Sequence, residues 1–135
     1  MGAAGIGGHL TTLEGEEHQF SLASPMLKAR YGDLVSCIHG LTQDQLPLIA
    51  KVPQLYDFVF HDAGHTRDDY VKDFDAFVGS LKQGAIVLID DINWDDRRWN
   101  SDPSRAHEGW LEVVSHQRVK RAVEIDGEMG LIFIS

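Results

Sequence analysis

Two apolar runs that each end in acidic residues, joined by an amphipathic helix pattern, constrain this chain more than any other feature. The first run is Tyr56-Asp57-Phe58-Val59-Phe60-His61-Asp62-Ala63-Gly64-His65, and the second is Gly84-Ala85-Ile86-Val87-Leu88-Ile89-Asp90-Asp91. Between them Tyr70, Phe74, Phe77, Val78 and Leu81 recur at i, i+4, i+7, i+8 and i+11, the stripe of a core-facing helix. Thr66 is a natural cap, with Asp68 and Asp69 in the first turn where the helix dipole favours anions. Lys82 is expected in the last turn, with Gly84 ending the helix. A strand, a helix and a second strand form a βαβ unit, whose crossover is right-handed. Ligands bind at the carboxyl ends of strands in such open sheets. Asp62, His65, Asp90 and Asp91 are therefore expected to converge on one sheet edge.

The flanks extend the alternation. Gly7 to Leu13 reads as a strand closed by Glu14, and Glu16 to Tyr31 as a helix with Phe20, Ala23 and Leu27 on one face. Pro25 should kink that helix, or start a second one capped by Ser24. Leu34 to Ile38 reads as a strand and Thr42 to Ala50 as a short helix, interrupted by Pro47 or ending near it. Ile92 to Arg105 is long enough for a functional loop. Ala106 to His116 is helical, and Val119 to Ile125 and Gly130 to Ile134 form a hairpin about Asp126-Gly127. The sum is a single α/β domain over residues 1–135. It should be a three-layer sandwich, its sheet mostly parallel with an antiparallel C-terminal hairpin.

Composition excludes several classes. A net charge of −9 opposes binding to a nucleic-acid backbone. No apolar run reaches the length of a membrane helix, and no secretory signal is visible at the start. The single Cys37 allows no intrachain disulfide and suits a reducing cytoplasm. It reads as a structural thiol.

Thr11-Thr12-Leu13-Glu14-Gly15, the run from Tyr56 to His65 and the run from Leu81 to Asp91 together resemble the class I S-adenosylmethionine-dependent methyltransferases. The similarity is to the small-molecule O-methyltransferases that use a divalent metal, the catechol and caffeoyl-CoA type. The final Gly130-Leu131-Ile132-Phe133-Ile134 resembles their closing strand. The resemblance implies a Rossmann-like methyltransferase fold, S-adenosylmethionine as cofactor, Mg²⁺ or another divalent cation, and a hydroxylated small-molecule acceptor. It implies that Glu14 holds the ribose hydroxyls, where a carboxylate can accept two hydrogen bonds from a vicinal diol. Gly40 and Leu41 match the turn near the adenine. Asp62 matches a strand-end acid of the metal site that also counts among the cofactor-binding and catalytic positions. Asp90 and Asp91 match the pair completing the metal site, although neighbouring residues diverge and Asp91 can instead point away. His65 stands where the family carries a Lys base, and imidazole takes a proton more readily near neutral pH. It can equally be a metal ligand or a helix cap.

The resemblance also implies a missing part. The family's first strand, glycine-rich loop and helix, about 30 residues, should precede Glu14. Gly2-Ala3-Ala4-Gly5-Ile6-Gly7-Gly8 imitates the loop, but no strand comes before it and it lies too close to Glu14. The expectation is an N-terminally truncated domain, with a homodimer as one way to close the resulting gap. Two other readings stay open: a non-catalytic binding module, and a metal-dependent oxygenase or hydrolase on the same acidic cluster. His61, on the opposite side of its strand from Asp62, reads as structural. Asn93 and Trp94 are candidates for a substrate mouth, as is Trp99.

Overall fold

A computed structural model of the chain describes residues 8–94 and 105–135. The Gly2–Gly7 stretch, Arg97, Arg98 and Trp99 lie outside these. The chain forms two compact units, Met1–Gln45 and Leu46–Ser135.

In the first unit, β1 (Leu10–Glu14) and β2 (Val35–His39) pair in parallel, Leu10 opposite Val35 and Glu14 opposite His39. Between them α1 (Glu17–Tyr31) runs without a break through Pro25. The second cap expected at Ser24 does not form. Proline removes one N–H from the ladder, and the remaining turns on either side keep the helix whole. Gly32 (φ +55°) then supplies the left-handed residue that ends the helix.

The boundary between units falls within α2 (Thr42–Ile49), which also continues through its Pro47.

The second unit is built on a four-stranded sheet in the order β3-β4-β6-β5. Its strands are β3 (Tyr56–His61), β4 (Leu81–Ile89), β5 (Val119–Ile125) and β6 (Met129–Ile134). β3 and β4 are parallel, and β6 runs antiparallel to both β4 and β5. The helices are α3 (Arg67–Phe77) and α4 (Ala106–Val114). Alternation decides the core. Ala85, Val87 and Ile89 of β4 and Ile132 and Ile134 of β6 are buried with Tyr70, Phe74 and Phe77 of α3 and Trp110 and Val113 of α4. The helical stripe is thus the core face, as its spacing requires.

The end of α3 differs from expectation. The helix stops at Phe77, a single 3₁₀ turn spans Val78–Ser80, and Leu81 already begins β4. Lys82 and Gly84 are therefore strand residues, and Gly84 does not terminate the helix. Its φ of +79° falls at an irregularity where Tyr56 faces Leu81 but Phe58 faces Ile86, so β4 carries extra residues there. A bulge needs the same left-handed backbone as a helix end, which is why the glycine alone did not distinguish them. At the hairpin, Asp126 (φ +52°) and Gly127 (φ +72°) are both left-handed, the geometry of the tight turn that their identities favour.

Candidate active site

The carboxyl ends of β3 and β4 lie side by side, with His61 opposite Ile89 and the Asp90 amide donating to the His61 carbonyl at 2.9 Å. The chain turns away from the sheet at Asp62 and at Asp90, so both acidic segments emerge at one edge. After β3, Gly64 leads into the cap of α3. Thr66 Oγ1 accepts from the Asp69 amide at 3.2 Å, and the Asp69 carboxylate accepts from the Thr66 amide at 3.1 Å. This reciprocal box fixes where α3 starts, and with it where His65 sits.

His65 Nε2 lies 3.1 Å from Asp91 Oδ2 and 3.7 Å from Asp62 Oδ1. One donor atom each from Asp62, His65 and Asp91 falls within 4.8 Å of the others. The side chains of Asp62 and Asp91 are 49% and 34% exposed, so the cluster is reachable from solvent. His65 Nε2 itself is covered and makes no directional hydrogen bond, despite its closeness to Asp91. The Trp94 ring meets the imidazole at a tilt, with centroids 5.1 Å apart, and its amide donates to the Asp91 carbonyl at 2.8 Å. Two carboxylates and an imidazole with an unengaged nitrogen form a donor set that fits a hard or borderline divalent cation.

Of the adjacent pair, Asp91 turns to His65 and Asp90 does not. Asp91 adopts φ +56°, and the Asp90 carboxylate accepts from the Asp91 amide at 3.0 Å. Beneath them the Tyr70 hydroxyl donates to the carbonyls of Asp90 at 3.0 Å and of Asp91 at 2.9 Å. Burial, then the charges of Asp91, Asp90, Asp62 and Asp69, push the Tyr70 phenol well above its ordinary value, so it stays a donor. His61 points inward, 2.9 Å from Asp73 Oδ2, and its ring meets that of Tyr70 at 5.6 Å. His61 is structural, as its side of the strand implies. The helical stripe marks Tyr70 as core and says nothing of its hydroxyl. The available signal was chemical: a buried tyrosine requires a partner for its O–H. Asn93, a candidate for the mouth, instead donates its amide to the Gly127 carbonyl.

In the first unit, Glu14, Gly40 and Leu41 gather at the carboxyl ends of β1 and β2. The Gly40 amide donates to the Glu14 carbonyl at 3.0 Å. Glu14 Oε1 accepts from the Glu16 amide at 2.8 Å, and Leu41 is 58% exposed. At these strand ends the Glu14 side chain is half-buried while Leu41 is exposed.

A family described as a methyltransferase domain matches residues 1–92. Solved structures share the fold. An O-methyltransferase from Bacillus cereus in complex with SAH is 20% identical with a TM-score of 0.76, over 96% of this chain and 64% of that one. SAH-bound methyltransferase PaMTH1 from Podospora anserina is 18% identical with a TM-score of 0.73, over 94% and 61%. The O-methyltransferase TomG from Streptomyces achromogenes, in complex with SAM, is 21% identical with a TM-score of 0.70, over 95% and 62%. The chain thus spans under two thirds of the length of each of these structures. No significant match is found among curated proteins.

Proposed function

This chain belongs to the methyltransferase-domain family, and from that premise we propose that it transfers a methyl group from S-adenosylmethionine to a hydroxyl of a small molecule, assisted by a divalent cation. The observation that carries the reading is the convergence of Asp62, His65 and Asp91 within 4.8 Å at adjacent strand ends. Asp62 and Asp91 would hold the cation, Mg²⁺ in the first instance, and Asp90 joins them if its carboxylate leaves the Asp91 amide. Glu14 would accept the two ribose hydroxyls of the cofactor, with Gly40 and Leu41 at the adenine.

When bound, the cation supplies Lewis-acid polarisation of the acceptor hydroxyl, and the cofactor supplies an electrophilic methyl. The chain's own residues do the rest. The His65 imidazole would take up the hydroxyl proton as the acceptor oxygen gains the methyl and the cofactor sulfur keeps the bonding pair. The Asp91 carboxylate, 3.1 Å from Nε2, and Asp62, 3.7 Å away, would orient the imidazole toward the acceptor. Trp94, its ring 5.1 Å from the imidazole, would flank the acceptor on that side. The acidic cluster also disfavours anionic acceptors, so a neutral polyol or phenol fits best.

Titration calorimetry with S-adenosylhomocysteine tests the reading. Binding at micromolar ligand is expected, with loss in Glu14→Ala. Absence of binding up to millimolar ligand would overturn the enzyme assignment for this chain. Transfer of labelled methyl to a panel of neutral diols and phenols should then fall about 10²–10⁴-fold in His65→Ala, the usual contribution of a general base.

A further inference from the structure

We propose that Tyr70 is the positioning residue that holds the Asp91 carboxylate against His65 and Asp62, setting the geometry of the acidic site from below. The proposal rests on the reading that this cluster binds a cation. Three observations carry it. The first is the bridge: one hydroxyl donates to two successive carbonyls, of Asp90 at 3.0 Å and of Asp91 at 2.9 Å. The second is that the bridged turn is strained. Asp91 is a non-glycine residue at φ +56°, a conformation that persists only where its surroundings hold it. The third is that Tyr70 cannot easily yield. The residue is 2% exposed, and its ring meets that of His61, which the buried Asp73 carboxylate holds at 2.9 Å.

The physical consequence follows from the backbone. Adjacent residues at the end of an extended strand point apart, so Asp90 and Asp91 cannot both face the same point without a twist. The left-handed residue supplies that twist, and it is Asp91 that swings over to His65. Drawing both carbonyls down onto one hydroxyl favours this arrangement over the alternative in which Asp90 faces the site. The Trp94 amide donates to the same Asp91 carbonyl at 2.8 Å, so the indole beside His65 is anchored to the same atom. Tyr70 thus reaches the site through the backbone and touches none of the reacting atoms.

The test is Tyr70→Phe, which deletes the hydroxyl and keeps the ring, with Tyr56→Phe as a control for losing a hydroxyl elsewhere. Mn²⁺ affinity is read by electron paramagnetic resonance, and amide exchange by NMR without metal. Circular dichroism and cooperative melting should be retained in both variants. In Tyr70→Phe the Mn²⁺ affinity should drop about 10–100-fold, the usual effect of losing a group that orients a ligand. Trp94 amide exchange should quicken while Val87 and Ile132 keep their protection, a local pattern that general loosening of the core would not give. Unchanged Mn²⁺ affinity or unchanged Trp94 exchange would overturn the proposal. Should the wild type bind no Mn²⁺ at millimolar concentration, the cation reading fails by itself. The metal-free exchange result then decides the role of Tyr70. A wild-type measurement guards against a variant that does not fold: the Tyr70 hydroxyl proton should give an NMR cross-peak to the Trp94 amide, and its absence overturns the bridge.

Discussion

Asp91 and Asp90 are identical side chains one position apart, yet only Asp91 stands 3.1 Å from His65. Nothing in their identity separates them. The difference comes from a positive φ at Asp91 and from the tyrosine hydroxyl under the turn, neither of which a strand-plus-acid pattern encodes. What the pattern did carry was the pairing of Asp62 with His65 three residues on, because the capped start of α3 fixes that spacing. The same tyrosine gives a prediction for stability. Its phenol is pushed above the ordinary range, so the folded state retains a proton that the unfolded chain releases from about pH 10 upward. Since the folded state then binds more protons, stability is fully present below about pH 10 and is lost as pH rises beyond it. The loss is at most about 1.4 kcal/mol per pH unit for one group. Urea unfolding at pH 8 and at pH 11 should show wild type losing more than Tyr70→Phe between the two. Equal losses would mean that Tyr70 ionises in the folded state as freely as in the unfolded one.

Among the elements, α3 and the closing hairpin were the most legible. The stripe of Tyr70, Phe74 and Phe77 and the Thr66 cap needed only helical spacing and a hydroxyl at the right place, whereas the return bond from Asp69 emerges only in the fold. The turn at Asp126-Gly127 needed only two residues that tolerate positive φ. Two features were not legible. Gly84 fits a helix end and a bulge equally, and only pairing with β3 decides. The prolines of α1 and α2 are tolerated because single missing donors do not unravel a helix held by its neighbours. A subtler element contact explains Gly130. Trp110 of α4 lies across the start of β6, and a Cβ at Gly130 would come within 2.4–2.8 Å of three indole carbons. Trp110 cannot swing away without losing its Nε1 bond to Glu124 at 2.8 Å. Gly130→Ala should therefore destabilise by about 1–3 kcal/mol, the range for overpacking a filled core. It should also shift tryptophan emission. A variant that matches wild type in both urea midpoint and emission would show that the indole has room to move.

At the scale of the molecule, β3, β4 and β6 of the larger sheet carry apolar residues on both faces, but the two faces are treated differently. On one, Val87, Ile89 and Ile132 are at most 2% exposed and pack against Phe74 and its neighbours in the core. On the other, Phe58 and Phe60 of β3 are 55% and 52% exposed. Among the described strands β3 stands at the edge of its sheet, pairing with β4 alone. An unbroken apolar run reads from sequence as a strand covered on both faces. On β4 that inference holds for Ala85, Val87 and Ile89 but only in part for Ile86 and Leu88, which are half-buried, and it fails for the phenylalanines of β3, because periodicity reports what a strand could bury and not what lies over it. The asymmetry makes a sharp comparison between residues of one type. Phe74→Ala removes a fully buried ring and should cost about 3–5 kcal/mol. That is a large share of the roughly 5–15 kcal/mol that holds a typical domain folded. Phe60→Ser exchanges an exposed ring for a hydroxyl and should fall within about 0.5 kcal/mol of wild type. Both are read from urea midpoints at one protein concentration, repeated at a tenfold dilution. A Phe60→Ser cost comparable with that of Phe74→Ala would mean that this ring is buried in solution. Dependence of that cost on dilution would then identify a second copy of the chain as what covers it.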